Sequence, residues 1–360
     1  MGKRRSFRIA GELIRLGETR DIRLPISQRY TGDPIHLPLR VMRARKRGPT
    51  LLITAAVHGD EINGTGVIHQ LMFDQSLTLS AGSLILVPVV NIFGFESQQR
   101  YMPDRRDLNR SFPGQASGSL TSRVARRIVD ELIAQADWCI DLHTAAIPRI
   151  NYPNVRGDLS NKRVRRLARA FGTELIIDSV GPAGSLRREA TRLGCPTIIL
   201  EAGEPNKIEP TVGELGLRGI RNCLIEIGMA EGEPISPNYQ ATIRKSTWVR
   251  AQHGGILRFH VAPGAHVVAG QPVATNVDVF GSEQNVLTTP VDGIVIGMTT
   301  LPTVKPGEPV CHIGIPGGRT RRKRAHGPLH QRIEQDLATR ITVSEHEGDW
   351  ASEVVDNGDG

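Results

Sequence analysis

His58 and Glu61, in the run HGDE, stand three residues apart where an apolar stretch, Thr50 to Val57 (TLLITAAV), gives way to helical spacing. One turn of backbone there can point an imidazole and a carboxylate at the same ion, and zinc accepts both ligand types. Taken alone, H-x-x-E also describes a surface histidine or a carboxylate capping a helix. A catalytic metal needs a third ligand. His143, in DLHT, follows the apolar run WCI and so emerges at a strand end, where open α/β sheets gather their ligands. Two nearby ligands and a remote third leave the fourth position of a catalytic zinc free for water.

Asp141, two residues before His143, points to the same side of its strand and either orients a ligating histidine or makes an ordinary structural hydrogen bond. Between the two ligand sets runs Arg100 to Gly114 (RYMPDRRDLNRSFPG), unusually polar for the middle of an α/β domain and carrying Leu108, Asn109 and Arg110. Such a loop can present guanidinium groups to a substrate carboxylate or a developing oxyanion. Glu201 closes the run TIIL and opens EAGEP, which sets a carboxylate on the sheet edge that carries His143. A carboxylate beside the metal can take a proton from the attacking water and later pass it to the leaving amine. Glu204, three residues on, competes for that role.

These residues need elements to hold them. Apolar runs at Thr50 to Val57, Ser83 to Val90, Trp138 to Leu142, Leu175 to Ile177 and Thr197 to Leu200 predict strands. Helical spacing lies between them at Asn63 to Phe73, Ser122 to Gln135 and Ser160 to Phe171, and follows them at Val212 to Ile227. Strands separated by helices predict an α/β fold, with a mainly parallel, mixed sheet covered by helices on both faces. The pattern breaks at Gly232 to Asn238. From Thr247 to Ile315 short β-runs dominate, and two similar half-units, Gly254 to Gly281 and Thr289 to Gly314, predict a small all-β barrel-sandwich. The division expected is a catalytic α/β domain over 1–240, a β-rich domain over 245–316 and a charged, mobile tail over 317–360 with a short helix at Leu329 to Ile341.

Composition excludes several classes. No stretch approaches the roughly 20 uninterrupted apolar residues of a membrane helix, and the basic start has no apolar region after it, so no export signal or membrane partner is expected. Cys139, Cys195, Cys223 and Cys311 are far apart and form no CxxC pair, which predicts reduced, buried thiols and a cytoplasmic protein. The net charge of +8 would allow a nucleic-acid partner, yet most arginines fall on solvated helix faces and aromatics make up only 4% of the chain. Without interleaved stacking residues, no nucleic-acid partner is expected.

In order, HGDE, the DLNRSFPG loop, DLHT and EAG resemble the succinylglutamate desuccinylase/aspartoacylase family, relatives of the zinc carboxypeptidases. The motifs run from about Leu51 to Ala202, and Trp248 to Gly314 is similar to that family's C-terminal domain. The resemblance implies a zinc carboxypeptidase-like fold and one Zn2+ per chain held by His58, Glu61 and His143. It implies Glu201 as general base of a promoted-water mechanism, Arg100 as carbonyl polariser, and Asn109 with Arg110 as the grip on a substrate carboxylate. The implied substrate is a small N-acyl amino acid, cut at its amide bond to a carboxylate and a free amine. Arg149, Asn151 and Arg156 in RINYPNVR either line the pocket or belong to a solvated loop, and the segment is similar to members that act on N-acetylated diamino acids or have no assigned substrate. A tyrosine that some relatives place near the scissile bond has no clear counterpart here, and Tyr152 and Tyr239 are weak candidates for it.

Two other functions compete. One is a metallocarboxypeptidase or peptide amidase on the same scaffold. The other is a non-catalytic protein that binds an anionic polymer through the β-rich domain and the run Arg319 to Arg324 (RTRRKR). A swinging-arm carrier is disfavoured because neither the VDG nor the PGA turn carries a modifiable lysine. Self-association is left open.

Overall fold

The computed structural model describes residues 7–317 and 328–341. A two-stranded ribbon, β1 (Arg8–Ile9) with β2 (Glu12–Leu13), precedes a long antiparallel hairpin of β3 (Thr19–Gln28) and β4 (Pro34–Arg43). The α/β part follows as β5 (Thr50–Ala55), α1 (Asn63–Phe73), β6 (Ser83–Val87), α2 (Ile92–Glu96), α3 (Leu120–Glu131), β7 (Trp138–His143), β8 (Arg149–Gly157), α4 (Lys162–Phe171), β9 (Leu175–Asp178), α5 (Leu186–Arg192), β10 (Thr197–Gly203) and α6 (Pro210–Glu226). The remaining strands are β11 (Ala241–Arg250), β12 (Gly255–Phe259), β13 (His266–Val267), β14 (Pro272–Val277), β15 (Glu283–Thr288), β16 (Gly293–Thr299), β17 (Thr303–Val304) and β18 (Pro309–Pro316), and α7 (Pro328–Arg340) ends the described chain.

The runs β5, β6, β7 and the first half of β10 are buried throughout and mostly apolar because both sheet faces are covered. Leu51 and Ile53 pack with Val67, Leu71, Leu167 and Leu215 on the side of α1, α4 and α6. Leu52 points the other way, with Val124 and Ile128 of α3 and Leu186 of α5. Each such side chain contributes about 1.5–3 kcal/mol by leaving water. The helices thus cover both faces, as the strand–helix alternation predicts.

The sheet is larger and less parallel than the sequence suggests. Its order is β13-β16-β18-β11-β9-β8-β10-β7-β5-β6-β4-β3, twelve strands in all. The central four, β10, β7, β5 and β6, are mutually parallel, whereas β8 runs antiparallel to β10 and β4 antiparallel to β6. The β-rich region is also not set apart from this sheet. β11 pairs with β9, β16 pairs with both β18 and β8, and β8 pairs with β9, so β8-β9-β11-β18-β16 close into a five-stranded barrel. The strands β15-β14-β12-β17 form a second sheet of four.

The helix α7 lies in the stretch expected to be a mobile tail. It is instead packed, with Leu329, Ile333, Leu337 and Ile341 all buried in the main core. The basic run Arg319 to Arg324 lies outside the described residues. All four cysteines are buried and free, and among the described residues no helix is long and apolar enough to cross a membrane.

Candidate active site

The HGDE turn leaves β5 through Ala56, which adopts a left-handed φ of 49°, and closes with the Glu61 N–H donating to the His58 carbonyl at 3.1 Å. Gly59 lies so close to the Gly94 backbone that a Cβ there would overlap it, which makes glycine a steric requirement. The helix that follows has Ile62 at its N-cap and no side-chain cap, so Glu61 is free to turn into the site. His143 ends β7, and its partner across the parallel ladder is Glu201 of β10. Side chains of paired residues in adjacent strands share a face about 5 Å apart, which sets Glu201 beside His143.

Within this corner the ligating atoms of His58, Glu61 and His143 lie within 4.8 Å of one another, and all three residues are buried. His58 Nδ1 is 2.7 Å from Glu61 Oε1, and His143 Nδ1 is 2.8 Å from Glu61 Oε2. The far ring nitrogens are held by carboxylates, His143 Nε2 by Asp141 at 2.7 Å and His58 Nε2 by Asp107 at 3.3 Å. Asp141 in turn accepts from the Thr54 hydroxyl at 2.6 Å. Two imidazoles backed by carboxylates and one converging carboxylate are a donor set that could hold a divalent metal ion. Arg100 spans the cluster, donating to Glu61 at 3.1 Å and to Asp107 at 3.0 Å.

The protonation equilibria express the same demand for positive charge. Burial pushes the Glu61 carboxyl up, but His58 and His143 outweigh it and hold Glu61 well below the usual carboxylate range. Burial also pushes both imidazoles down. Facing carboxylates reverse this, Glu61 and Asp107 for His58, and Asp141 and Glu61 for His143, so both lie above the ordinary histidine value. The carboxylates call for a cation among them, which a proton or a metal ion can supply.

The cluster floors a pocket of about 400 Å³ that is also lined by Arg100, Asn109, Arg110, Arg149, Asn151, Arg156, Arg187, Glu201, Trp248 and His312. Glu201 accepts from Asn151 Nδ2 at 2.9 Å and lies 3.7 Å from Arg156 Nη1. Asn109 Oδ1 accepts from the Leu186 N–H at the start of α5, at 2.8 Å, which fixes its amide. Arg149 and Asn151 reach the pocket because RINYPNVR is a strand, not a solvated loop. A bulge in β8 opposite Glu201 and Gly203 shifts the register, so Asn151 and Arg156, of opposite parity, both face the pocket.

His58, Glu61, His143, Glu201, Arg100, Asn109, Arg110, Arg149 and Asn151 are therefore brought to one pocket, and three of the candidates are not. Glu204 is not among its lining; its carboxylate is bound by Lys207 at 2.9 Å. Tyr152 is buried on the opposite side of β8, where its hydroxyl donates to Glu174 at 2.9 Å, and neither it nor Tyr239 lines the pocket. Sequence reasoning missed Arg187, Trp248 and His312. Arg187 is 7% exposed, its Nη1 has no hydrogen-bond partner, and burial with Arg156 nearby lowers it to about 10. Its signal was helical phase: Leu186 and Ala190 are the buried apolar positions of α5, and residue 187, three before Ala190, flanks them at the edge of the same face. Trp248 and His312 come from β11 and β18, stack at 4.3 Å, and carry the Arg149 guanidinium 5.1 Å above the indole.

Residues 47–227 match the model of the succinylglutamate desuccinylase/aspartoacylase catalytic domain. Over 275 residues, 72% of this chain and 80% of the relative, the sequence is 30% identical to the N-alpha-acetyl-L-2,4-diaminobutyric acid deacetylase of Halomonas elongata. A succinylglutamate desuccinylase of Burkholderia thailandensis is 32% identical over 134 residues, 32% of this chain and 36% of that protein. In three dimensions, the product-bound ectoine utilization protein EutE (DoeB) of Ruegeria pomeroyi superposes with a TM-score of 0.76 at 24% identity, covering 87% of this chain and all of that one. With the catalytic-domain match and this extended relative in agreement, the chain belongs to the succinylglutamate desuccinylase/aspartoacylase family.

Proposed function

We propose that the protein hydrolyses the amide bond of small N-acyl amino acids with the help of one zinc ion, giving a carboxylate and a free amine. The observation that carries this reading is the convergence of His58, Glu61 and His143 beside Glu201 in a pocket of about 400 Å³, a size for a small ligand and not for a folded or polymeric one. A divalent ion held by the three would polarise the scissile carbonyl and lower the pKa of water.

The chain's own groups account for the rest. Glu201, oriented by Asn151, takes the proton of the attacking water and delivers it to the departing nitrogen. Arg100 is held by Glu61 and Asp107 with guanidinium N–H groups left over, and these stabilise charge growing on the carbonyl oxygen. Asn109, Arg110 and Arg187 seat the substrate carboxylate, and Arg149 with Asn151 borders the opposite side.

The test combines metal analysis with a panel of N-acyl amino acids and short peptides. About one zinc per chain, hydrolysis of the acyl amino acids that chelator abolishes and zinc restores, and a loss of about 10²–10⁴-fold in Glu201→Gln are expected. Preference for peptides would move the function to a carboxypeptidase. Full activity in Glu201→Gln would remove that residue from the mechanism.

A further inference from the structure

The Glu209 carboxylate, 3% exposed, lies beneath the corner where β10 leads into α6. One oxygen, Oε2, accepts from the Glu204 N–H at 3.0 Å and from the Asn63 side-chain amide, while Asn63 Oδ1 accepts the Glu209 N–H at 2.7 Å. Asn63 opens α1 two residues after Glu61, and Glu204 stands three residues after Glu201. Glu209 thus ties the turn that carries a metal-site carboxylate to the strand end that carries the proposed base.

A buried carboxylate keeps this geometry only if its charge is met. The cation comes from the far end of the chain, where Arg340 of α7 pairs with Glu209 Oε1. Arg340 also bonds Asp336 at 2.7 Å and lies 3.8 Å from Glu204. The buried Leu329, Ile333 and Leu337 anchor its helix, and Thr211 of α6 bonds Asp336 at 3.2 Å, so the guanidinium is held in place.

We infer that Arg340 is a positioning residue: by neutralising Glu209 it fixes Glu61 and Glu201 relative to each other, and through it the C-terminal helix completes the active site. This rests on the deacylase reading for its activity readout but not for its structural one. Without the guanidinium, the buried Glu209 carboxylate must rotate towards water, which loosens its bonds to Asn63 and Glu204.

Full-length Arg340→Leu, assayed well below its own melting temperature, is expected to lose about tenfold or more in kcat with KM nearly unchanged, the scale seen when a residue orienting active-site groups is removed. Arg340→Lys should recover most of the loss. Glu209→Gln combined with Arg340→Leu should be no worse than Arg340→Leu alone, because the stranded charge is gone. Independently of any substrate, the Glu204 and Glu209 amides should exchange hydrogen faster in Arg340→Leu than in the parent. Unchanged kcat with only a lower melting temperature, or unchanged protection of those amides, would overturn the inference. A parent that hydrolyses no acyl amino acid while Arg340→Leu still loses amide protection would sink the deacylase reading and leave the positioning of the corner standing.

Discussion

The two halves of the pocket are built on opposite electrostatic plans. On the inner side every charge has its counter-charge: Glu61 faces His58, His143 and Arg100, while Asp141 and Asp107 back the two imidazoles. On the outer side, cations outnumber their partners. Arg110 donates to a backbone carbonyl at 2.7 Å, Arg149 rests on Trp248, Arg156 stands 3.7 Å from Glu201, and Arg187 keeps a buried Nη1 with no partner. Burying a guanidinium without an anion opposes folding, and among these four only Arg187 is buried, so it is the one that gains most from a negatively charged ligand. In the proposed function the inner half serves the chemistry and the outer half the recognition of substrate.

The sharpest way to break that contrast is to remove one of the proposed metal ligands. His143→Ala should abolish tight zinc binding and lower kcat by at least about 10³-fold, the upper scale for losing one preorganised electrostatic group. It should also lower the melting temperature, since Glu61 and Asp141 lose the imidazole between them. Metal content and thermal unfolding of the purified variant check both effects. A variant that still binds one zinc tightly would remove His143 from the ligand set.

An outer substitution should act in the reverse sense. Arg187→Met keeps the bulk of the side chain but removes its charge, so KM should rise about tenfold, the value of one charge-assisted hydrogen bond, with kcat largely kept. Because the guanidinium is buried and incompletely paired, the melting temperature should hold or rise. Steady-state kinetics and a melt together decide it. A kcat effect as large as that of His143→Ala would erase the division between the halves.

The sequence shows the inner half far more readily than the outer. His58, Glu61, His143 and Glu201 each follow an apolar run, and β5, β7 and β10 are parallel central strands whose ends coincide, so local pattern and topology agree. The outer half depends on what local pattern cannot encode. β8 carries Asn151, Pro153, Asn154 and Arg156, a composition that reads as a loop, and it is a strand because β10, β9 and β16 all bond to it. Trp248 and His312 are distant in sequence and meet only because β11 and β18 pair in the closed barrel. The docking of α7 was hidden for a similar reason: its buried positions are few and widely spaced in a charged segment, and only the surface offered by α6 and the core makes them a face.

His312 offers the finest test of the comparison, and its effect is the smallest. Burial, with Arg156 and Arg149 nearby, lowers this imidazole to about 4, opposite in direction to the inner histidines. In the unfolded chain a histidine binds a proton near pH 6.5. Between about pH 6.5 and 4 the unfolded chain therefore holds a proton that folded His312 refuses, and stability must fall as the pH falls through that window, while above it the group adds no pH dependence. His312→Phe preserves a flat ring against Trp248 and removes the titration, so its melting temperature should decline less steeply than the parent's from pH 6.5 to 4.5. Parallel slopes for the two proteins would mean that His312 is solvated enough to titrate normally. The wall supplied by the barrel would then be open to water, and the Arg149–Trp248–His312 stack could not exclude water from a bound anion.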